Sequence, residues 1–285
     1  MLTDYHLHLR PDQHPSSADS HFRPANVERY RQIATQRGIE ELGVSEHIYR
    51  FKQALSVWRH PFWLQNATDD LHAYCAFVRQ QTDLKLGIEV DFIPGRERSI
   101  EALIASEQFD YVIGSVHFLA DKAVDMEQYT VWDGSSSADQ IWQRYFQTLA
   151  QAAASGLFDI IAHPDLVKVW GAGSGGRPLP QGDLARFYQL AVPAIVDSSV
   201  AIEVSTAGLR KAVGEIYPAP ALLQMCVQAG VPVALSSDAH TPQDVGSGYA
   251  QALALLECAG VKELCVFTKR QRSLVSIEAE IGLSG

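Results

Sequence analysis

Seven short apolar runs, each followed by a longer amphipathic stretch, set the strongest limit on what this chain can fold into. The opening run places Leu2, Tyr5, Leu7 and Leu9 around two histidines. The others are "ELGVSEH", "LKLGIEVDF", "FDYVIGSVHF", "LFDIIAHPD", "VAIEVSTAG" and "VPVALSSDAH". Helical periodicity predicts helices between them, near Val27–Arg37, Leu71–Gln81, Ser99–Ser106, Ala138–Ser155, Leu184–Asp197 and Ala219–Ala229, with a last one near Gly248–Ala259. Strand–helix alternation implies parallel strands joined by crossover helices. Seven such units in 285 residues fit one closed α/β barrel, a single domain over 1–285, better than two domains. The segment "ELCVFTKRQRSLVSI" adds a strand or tail over 262–285, outside the barrel. The glycine-rich "WGAGSGGRPLP" reads as a loop, since it lacks the G-K-[ST] ending of a phosphate loop.

In a parallel barrel the active site gathers at the C-terminal ends of the strands. His6 and His8 share one face of the first strand, and His14 follows a turn marked by Pro11 and Asp12. The second strand ends in Glu46 and His47, the third carries Glu89 and Asp91, and the fourth ends in His117. The fifth ends in His163 and Asp165, and the seventh in Asp238 and His240. Seven of the ten histidines therefore map to one rim, whereas His21, His60 and His72 read as surface or structural residues. Those imidazoles, with Glu89 and Asp238, exceed one tetrahedral metal site and suit two or three ions bridged by carboxylate. Closely spaced ions form a clamp for hydrolysis. A structural zinc site would be closed and cysteine-rich, and no cysteine falls on this rim.

Composition narrows the alternatives. A formal charge of -10, from 23 basic and 33 acidic side chains, is a poor footprint for nucleic acid. Cys75, Cys226, Cys258 and Cys265 form no C-x-x-C pair and read as reduced residues of a cytoplasmic protein. No basic-then-apolar leader and no membrane-length apolar run is visible. The expected partner is a small molecule, with no membrane or nucleic acid, and the oligomeric state is left open.

The series "HLH", "SEH", "GIEVDF", "YVIGSVHF", "DIIAHPDLV", "EVSTAGLRKAVGEIYP" and "SSDAHTPQDVG" resembles the polymerase-and-histidinol-phosphatase (PHP) superfamily, and most closely its histidinol-phosphatase branch. The match runs from Asp4 to about Gly248. The resemblance implies a distorted, TIM-like (β/α)7 barrel holding three metal ions, zinc, iron or manganese. Position by position, it implies one ion on His6, His8, Glu89 and Asp238, and a second on Glu89, His117 and His163. The third would lie on His14, His47 and His240. It places Lys168 and Arg210 at the substrate phosphate. The family often has an arginine where this chain has Lys168, and an asparagine where it has Ser205.

The expected reaction is hydrolysis of a phosphate monoester, L-histidinol phosphate giving L-histidinol and phosphate. A metal-bridged hydroxide would attack phosphorus in line, with Glu89, Asp238 and His117 as the catalytic group. Asp165 is expected to orient His163 or a neighbouring ligand, Glu46 to point away from His47, and Lys211 to be a solvated charge. The alternatives are a phosphoesterase acting on a nucleotide, cyclic phosphate or other small ester, walled by Trp58, Trp63, Trp132 and Trp170; an amidohydrolase, which would carry a lysine where this chain has His117; and a non-catalytic metal-binding PHP module.

Overall fold

A computed structural model describes residues 1–12, 21–277 and 279. The chain begins with β1 (Leu2–Asp4), α1 (Pro24–Gln36) and β2 (Ile39–Val44). Next come α2 (Pro61–Asn66), α3 (Leu71–Gln81), β3 (Lys85–Asp91), α4 (Glu97–Ile104) and β4 (Tyr111–Ser115). A small hairpin, β5 (Phe118–Leu119) and β6 (Lys122–Ala123), precedes α5 (Ala138–Ala154), β7 (Ile160–Ile161) and α6 (Ala185–Ser198). The remainder is β8 (Ala201–Ser205), α7 (Pro220–Gln228), β9 (Val233–Ser236), α8 (Tyr249–Ala259), β10 (Glu263–Thr268) and β11 (Gln271–Ser276).

The parallel sheet runs β1-β2-β3-β4-β7-β8-β9. A bridge between Leu7 and Ala239 closes the ring, through His8 N to Ala239 O at 2.8 Å and Ala239 N to His6 O at 3.1 Å. The barrel is distorted because its members are unequal. β7 is two residues long, and the β1–β2 register shifts between Leu2 and Thr3. Strands β4, β8 and β9 are buried along their whole length, the pattern of parallel strands covered by helices on one side and barrel interior on the other.

The helices follow from local chemistry. Asp70 caps α3 by accepting from Ala73 N at 2.9 Å, and Leu71, Tyr74, Cys75 and Val78 form its buried stripe. Ser137 and Gln140 form a reciprocal capping box that starts α5. All four cysteines are free thiols, with Cys258 exposed and the rest buried. Among the described residues no helix is long and apolar enough to cross a membrane.

The C-terminal segment is more than a tail. β10 and β11 pair antiparallel, and Cys265 and Phe267 join Tyr5, Tyr111, Ile113 and Ile160 in one apolar cluster. The turn of the hairpin is tied to the loops entering β4 and β7. Arg270 N donates to Asp110 O at 2.8 Å, and Arg270 Nε lies 2.9 Å from Asp159 Oδ2. The hairpin therefore plugs the barrel end opposite the strand C-termini. Tyr111 fills the interior at that level and donates to Tyr5 O at 2.6 Å. Its ring needs glycine beside it: a Cβ on Gly87 would stand 2.2 Å from Tyr111 Cζ, and one on Gly43 2.3 Å from its hydroxyl. Gly87→Ala is expected to cost about 1–3 kcal/mol by overpacking, read as a lower thermal midpoint in calorimetry. An unchanged midpoint would show that the ring yields.

Candidate metal centre

The strand ends bring the imidazoles and carboxylates of the rim together. His6 and His8 follow β1 with ring centroids 5.2 Å apart. Glu89 lies on β3, His47 follows β2, and His117 follows β4. His163 and Asp238 follow β7 and β9 with positive φ, 25° and 50°. Non-glycine residues rarely adopt this conformation, and it concentrates at functional sites.

Glu89 is the hub. Its Oε2 lies 3.3 Å from His6 Nε2 and 3.7 Å from His8 Nε2, and it also pairs with His47 Nδ1. Its Oε1 lies 3.3 Å from His163 Nε2 and 3.6 Å from His117 Nε2. Asp238 Oδ1 stands 3.3 Å from His8 Nε2 and 3.6 Å from His6 Nε2. His47 and His240 face each other with their Nε2 atoms 3.4 Å apart. Three donor groups result: His6, His8 and Asp238; His6, Glu89 and His163; and His8, His47 and His240. Compared with the sets implied by resemblance, His6 stands in the second group where His117 was expected. His8 stands in the third group with His47 and His240; His14, expected there, lies outside the described residues.

Two carboxylates that the motif reading did not assign fix the imidazoles from behind. Glu203 Oε1 takes His6 Nδ1 at 2.7 Å, and its Oε2 accepts from His163 N at 2.7 Å. Asp91 Oδ1 lies 2.7 Å from His117 Nδ1. With Nδ1 engaged, each ring turns Nε2 into the centre, as metal-ligating histidines do. The signal for Glu203 was a lone acid inside the otherwise apolar run "VAIEVSTAG". Sequence spacing marks Asp12 only as a turn residue, yet its Oδ2 lies 3.2 Å from His240 Nε2.

The other side chains singled out in the sequence fall as follows. Asp165 does not orient a histidine: it pairs with Lys168 Nζ at 3.0 Å and accepts from Ala219 N at 2.8 Å. Glu46 accepts from Leu9 N at 2.6 Å and Arg10 N at 3.0 Å, anchoring the segment that carries His8. Lys168 is buried and also meets Glu215 at 3.1 Å. Arg210 Nη2 donates to the carbonyls of Ser237 at 2.7 Å and Asp238 at 3.0 Å. His60 is buried and caps α2 at Phe62 N, His21 lies 3.3 Å from Asp69, and His72 is on the surface beside Glu107.

These donors fit a cation. His6 Nε2, His8 Nε2, Glu89 Oε2 and Asp238 Oδ1 are buried without a hydrogen bond, and each such group costs about 1–3 kcal/mol unless a partner is supplied. Burial opposes charge on His6, but Glu203, Asp238 and Glu89 outweigh it and hold its proton affinity well above the usual value. Burial likewise opposes charge on His117, and Asp91 with Glu89 pushes its pKa up to about 10. Burial, then His47 and His240, push His8 well below the usual value, leaving a neutral imidazole suited to ligation. Imidazole and carboxylate donors without thiolate suit zinc, iron or manganese, and their convergence makes this a divalent-metal-binding centre.

A cavity of about 380 Å³ opens above it. His47, His117, His163, Asp238 and His240 border it, with Tyr49, Phe62, Phe118 and Trp170 on its aromatic sides. Arg10, Arg50 and Lys211 reach its wall; Lys168 and Arg210 do not line it. Of the four tryptophans proposed as a stacking wall, only Trp170 borders the cavity. Trp63 is fully buried.

The PHP domain profile matches residues 6–207. The chain belongs to the PHP family. A PHP relative from Deinococcus radiodurans, named as a probable histidinol-phosphatase, is 31% identical over 261 residues, 91% of this chain and 94% of the relative. A probable histidinol-phosphatase from Schizosaccharomyces pombe is 23% identical over 254 residues, 84% of this chain and 82% of that one. The crystal structure of histidinol phosphate phosphatase from Lactococcus lactis, complexed with zinc, L-histidinol and phosphate, superposes with a TM-score of 0.69 at 19% identity. It covers 95% of this chain and 98% of that chain. At that identity the likeness establishes a barrel fold shared by the two.

Proposed function

We propose that the chain is a metal-dependent phosphatase that hydrolyses L-histidinol phosphate to L-histidinol and inorganic phosphate. The observation that carries this is the convergence of buried imidazoles on Glu89 and Asp238 at the floor of a cavity large enough for a small ester. The similarity over 91% of this chain to a probable histidinol-phosphatase supports the choice of ester. Residues 1–285 act as a single catalytic domain in this reading.

Three ions are proposed, zinc, iron or manganese, on His6, His8, Glu89 and Asp238; on Glu89, His117 and His163; and on His14, His47 and His240. When bound, such ions supply Lewis acidity and a water acidic enough to react near neutral pH. Glu89, Asp238 and His117 set the charge and spacing of the centre. Glu203 and Asp91 hold two imidazoles in the ligating tautomer. Monoester hydrolysis has one of the largest uncatalysed barriers known, so positive charge at the phosphoryl oxygens matters. Arg210 clamps the Asp238 turn with Nη2, faces Asp244 Oδ1 through Nε at 3.4 Å, and has Nη1 left for the ester. Lys168 is the second proposed phosphate cation. Lys168 is buried and stays paired with Asp165 at 3.0 Å, so the contact that a phosphoryl oxygen would replace is the one to Glu215, which is 58% exposed.

Steady-state phosphate release from a panel of L-histidinol phosphate, p-nitrophenyl phosphate, a nucleoside monophosphate and a cyclic nucleotide tests the assignment. The highest kcat/KM is expected for histidinol phosphate, and a nucleotide outrunning it would refute the choice of ester. Arg210→Ala is expected to lower kcat/KM by about two orders of magnitude, roughly 2.7 kcal/mol, with metal content unchanged. Arg210→Lys should recover only part of this, for lack of the planar fork. A loss below about threefold, or a loss matched by missing metal, would remove Arg210 from the phosphate.

A further inference from the structure

Among the described residues the cavity holds one acid that no hydrogen bond or ion pair ties to the metal centre. Asp238 faces His6 and His8, and Asp12 is shared between Arg50 and His240. Asp125 borders the same cavity, and its Oδ1 is buried without a hydrogen-bond partner. A carboxylate oxygen removed from water and left without a donor is costly. Sites that tolerate that cost are candidates for ligand recognition.

The residue before it is held unusually firmly. Val124 N donates to His117 O at 2.9 Å. Val124 O accepts from the indoles of both Trp132, at 3.2 Å, and Trp170, at 2.8 Å. Asp125 is therefore fixed between a proposed ligand of the metal centre and an aromatic wall of the cavity. Phe118, Met126 and Trp170 supply the apolar surface around it. An ester whose phosphate occupies the centre can lay its organic end along this wall. The wall then offers a flat apolar face for a ring and one anionic oxygen for a cation.

We propose that Asp125 binds the ammonium group of the substrate and selects amino-alcohol phosphates over esters that lack the amine. This rests on the assignment of histidinol phosphate as substrate. A charge-assisted N–H to carboxylate bond is about twice as strong as a neutral one, and an ester without the amine leaves the buried oxygen unpaired. The pocket then discriminates by what it fails to satisfy as well as by what it holds.

The test compares the metal-loaded wild-type enzyme with Asp125→Asn on two esters, L-histidinol phosphate and its deamino analogue, 3-(imidazol-4-yl)propyl phosphate. The ratio of kcat/KM for the two should fall at least tenfold in Asp125→Asn, and Asp125→Glu should restore part of it. Calorimetric titration with L-histidinol, a readout independent of turnover, should show at least a tenfold weaker Kd in Asp125→Asn. An unchanged ratio, or equal losses on both esters, would overturn the role of Asp125, since equal losses mean that it acts only through the His117 segment. If the wild-type enzyme fails to hydrolyse histidinol phosphate while cleaving other monoesters, the substrate assignment falls and the role of Asp125 falls with it. If the wild-type enzyme is active on histidinol phosphate and only the ratio stays put, the assignment stands and Asp125 alone is excluded.

Discussion

Glu89→Gln is expected to lower kcat/KM for histidinol phosphate by about a hundredfold or more while leaving the barrel folded. Glu89 is 1% exposed and lies within 3.7 Å of His6, His8, His117 and His163, besides pairing with His47. Burial favours its neutral form. His47, His6 and His117 outweigh burial and keep the carboxyl well below its usual range, so the residue is an anion surrounded by imidazoles. Glutamine keeps the shape and the backbone bond to Glu46 O, 3.1 Å from Glu89 N. It removes the only charge common to these rings and turns an amide N–H₂ toward groups that must accept a cation. Kinetics, metal content and circular dichroism on the same preparation check this. Near-normal turnover with normal metal content would show that Glu89 is not the hub.

Chelation should have an effect of comparable size. Dialysis against a strong chelator is expected to abolish turnover and lower the thermal midpoint, with both recovered on adding zinc or manganese. A ligand that binds only the folded state at a hundred times its Kd contributes about 2.7 kcal/mol. Its loss also leaves His6 Nε2, His8 Nε2 and Asp238 Oδ1 buried without a hydrogen bond. Full turnover by a protein shown to be metal-free would rule out metal-dependent chemistry.

The barrel was legible in the sequence because strand runs and helix periodicity alternate without interruption. α3, expected over Leu71–Gln81, spans those residues. The rim was legible for the same reason. Parallel strands all end on one side, so His6, His8, His47, Glu89, His163, Asp238 and His240 could be mapped to one place before any distance was known, and they form the three donor groups. Contacts that depend on how loops fold back were not legible. Local spacing put Asp165 beside His163, but the chain after β7 turns it onto Lys168 and Ala219. Glu203 looked like one acid in an apolar strand until the barrel closed and faced it toward His6. The hairpin over Glu263–Ser276 read as a strand or tail, because its role comes from Phe267 and Arg270 meeting residues far away in sequence. The two indoles converging on Val124 O were invisible for the same reason.

Elemental analysis of the purified, unchelated protein tests the central claim most directly, because it counts ions without assuming a substrate. The donor groups around Glu89, Asp238 and His240 predict more than one transition-metal ion per chain, approaching three when the protein is saturated. A protein that binds at most one ion per chain under saturating metal would contradict the polynuclear centre.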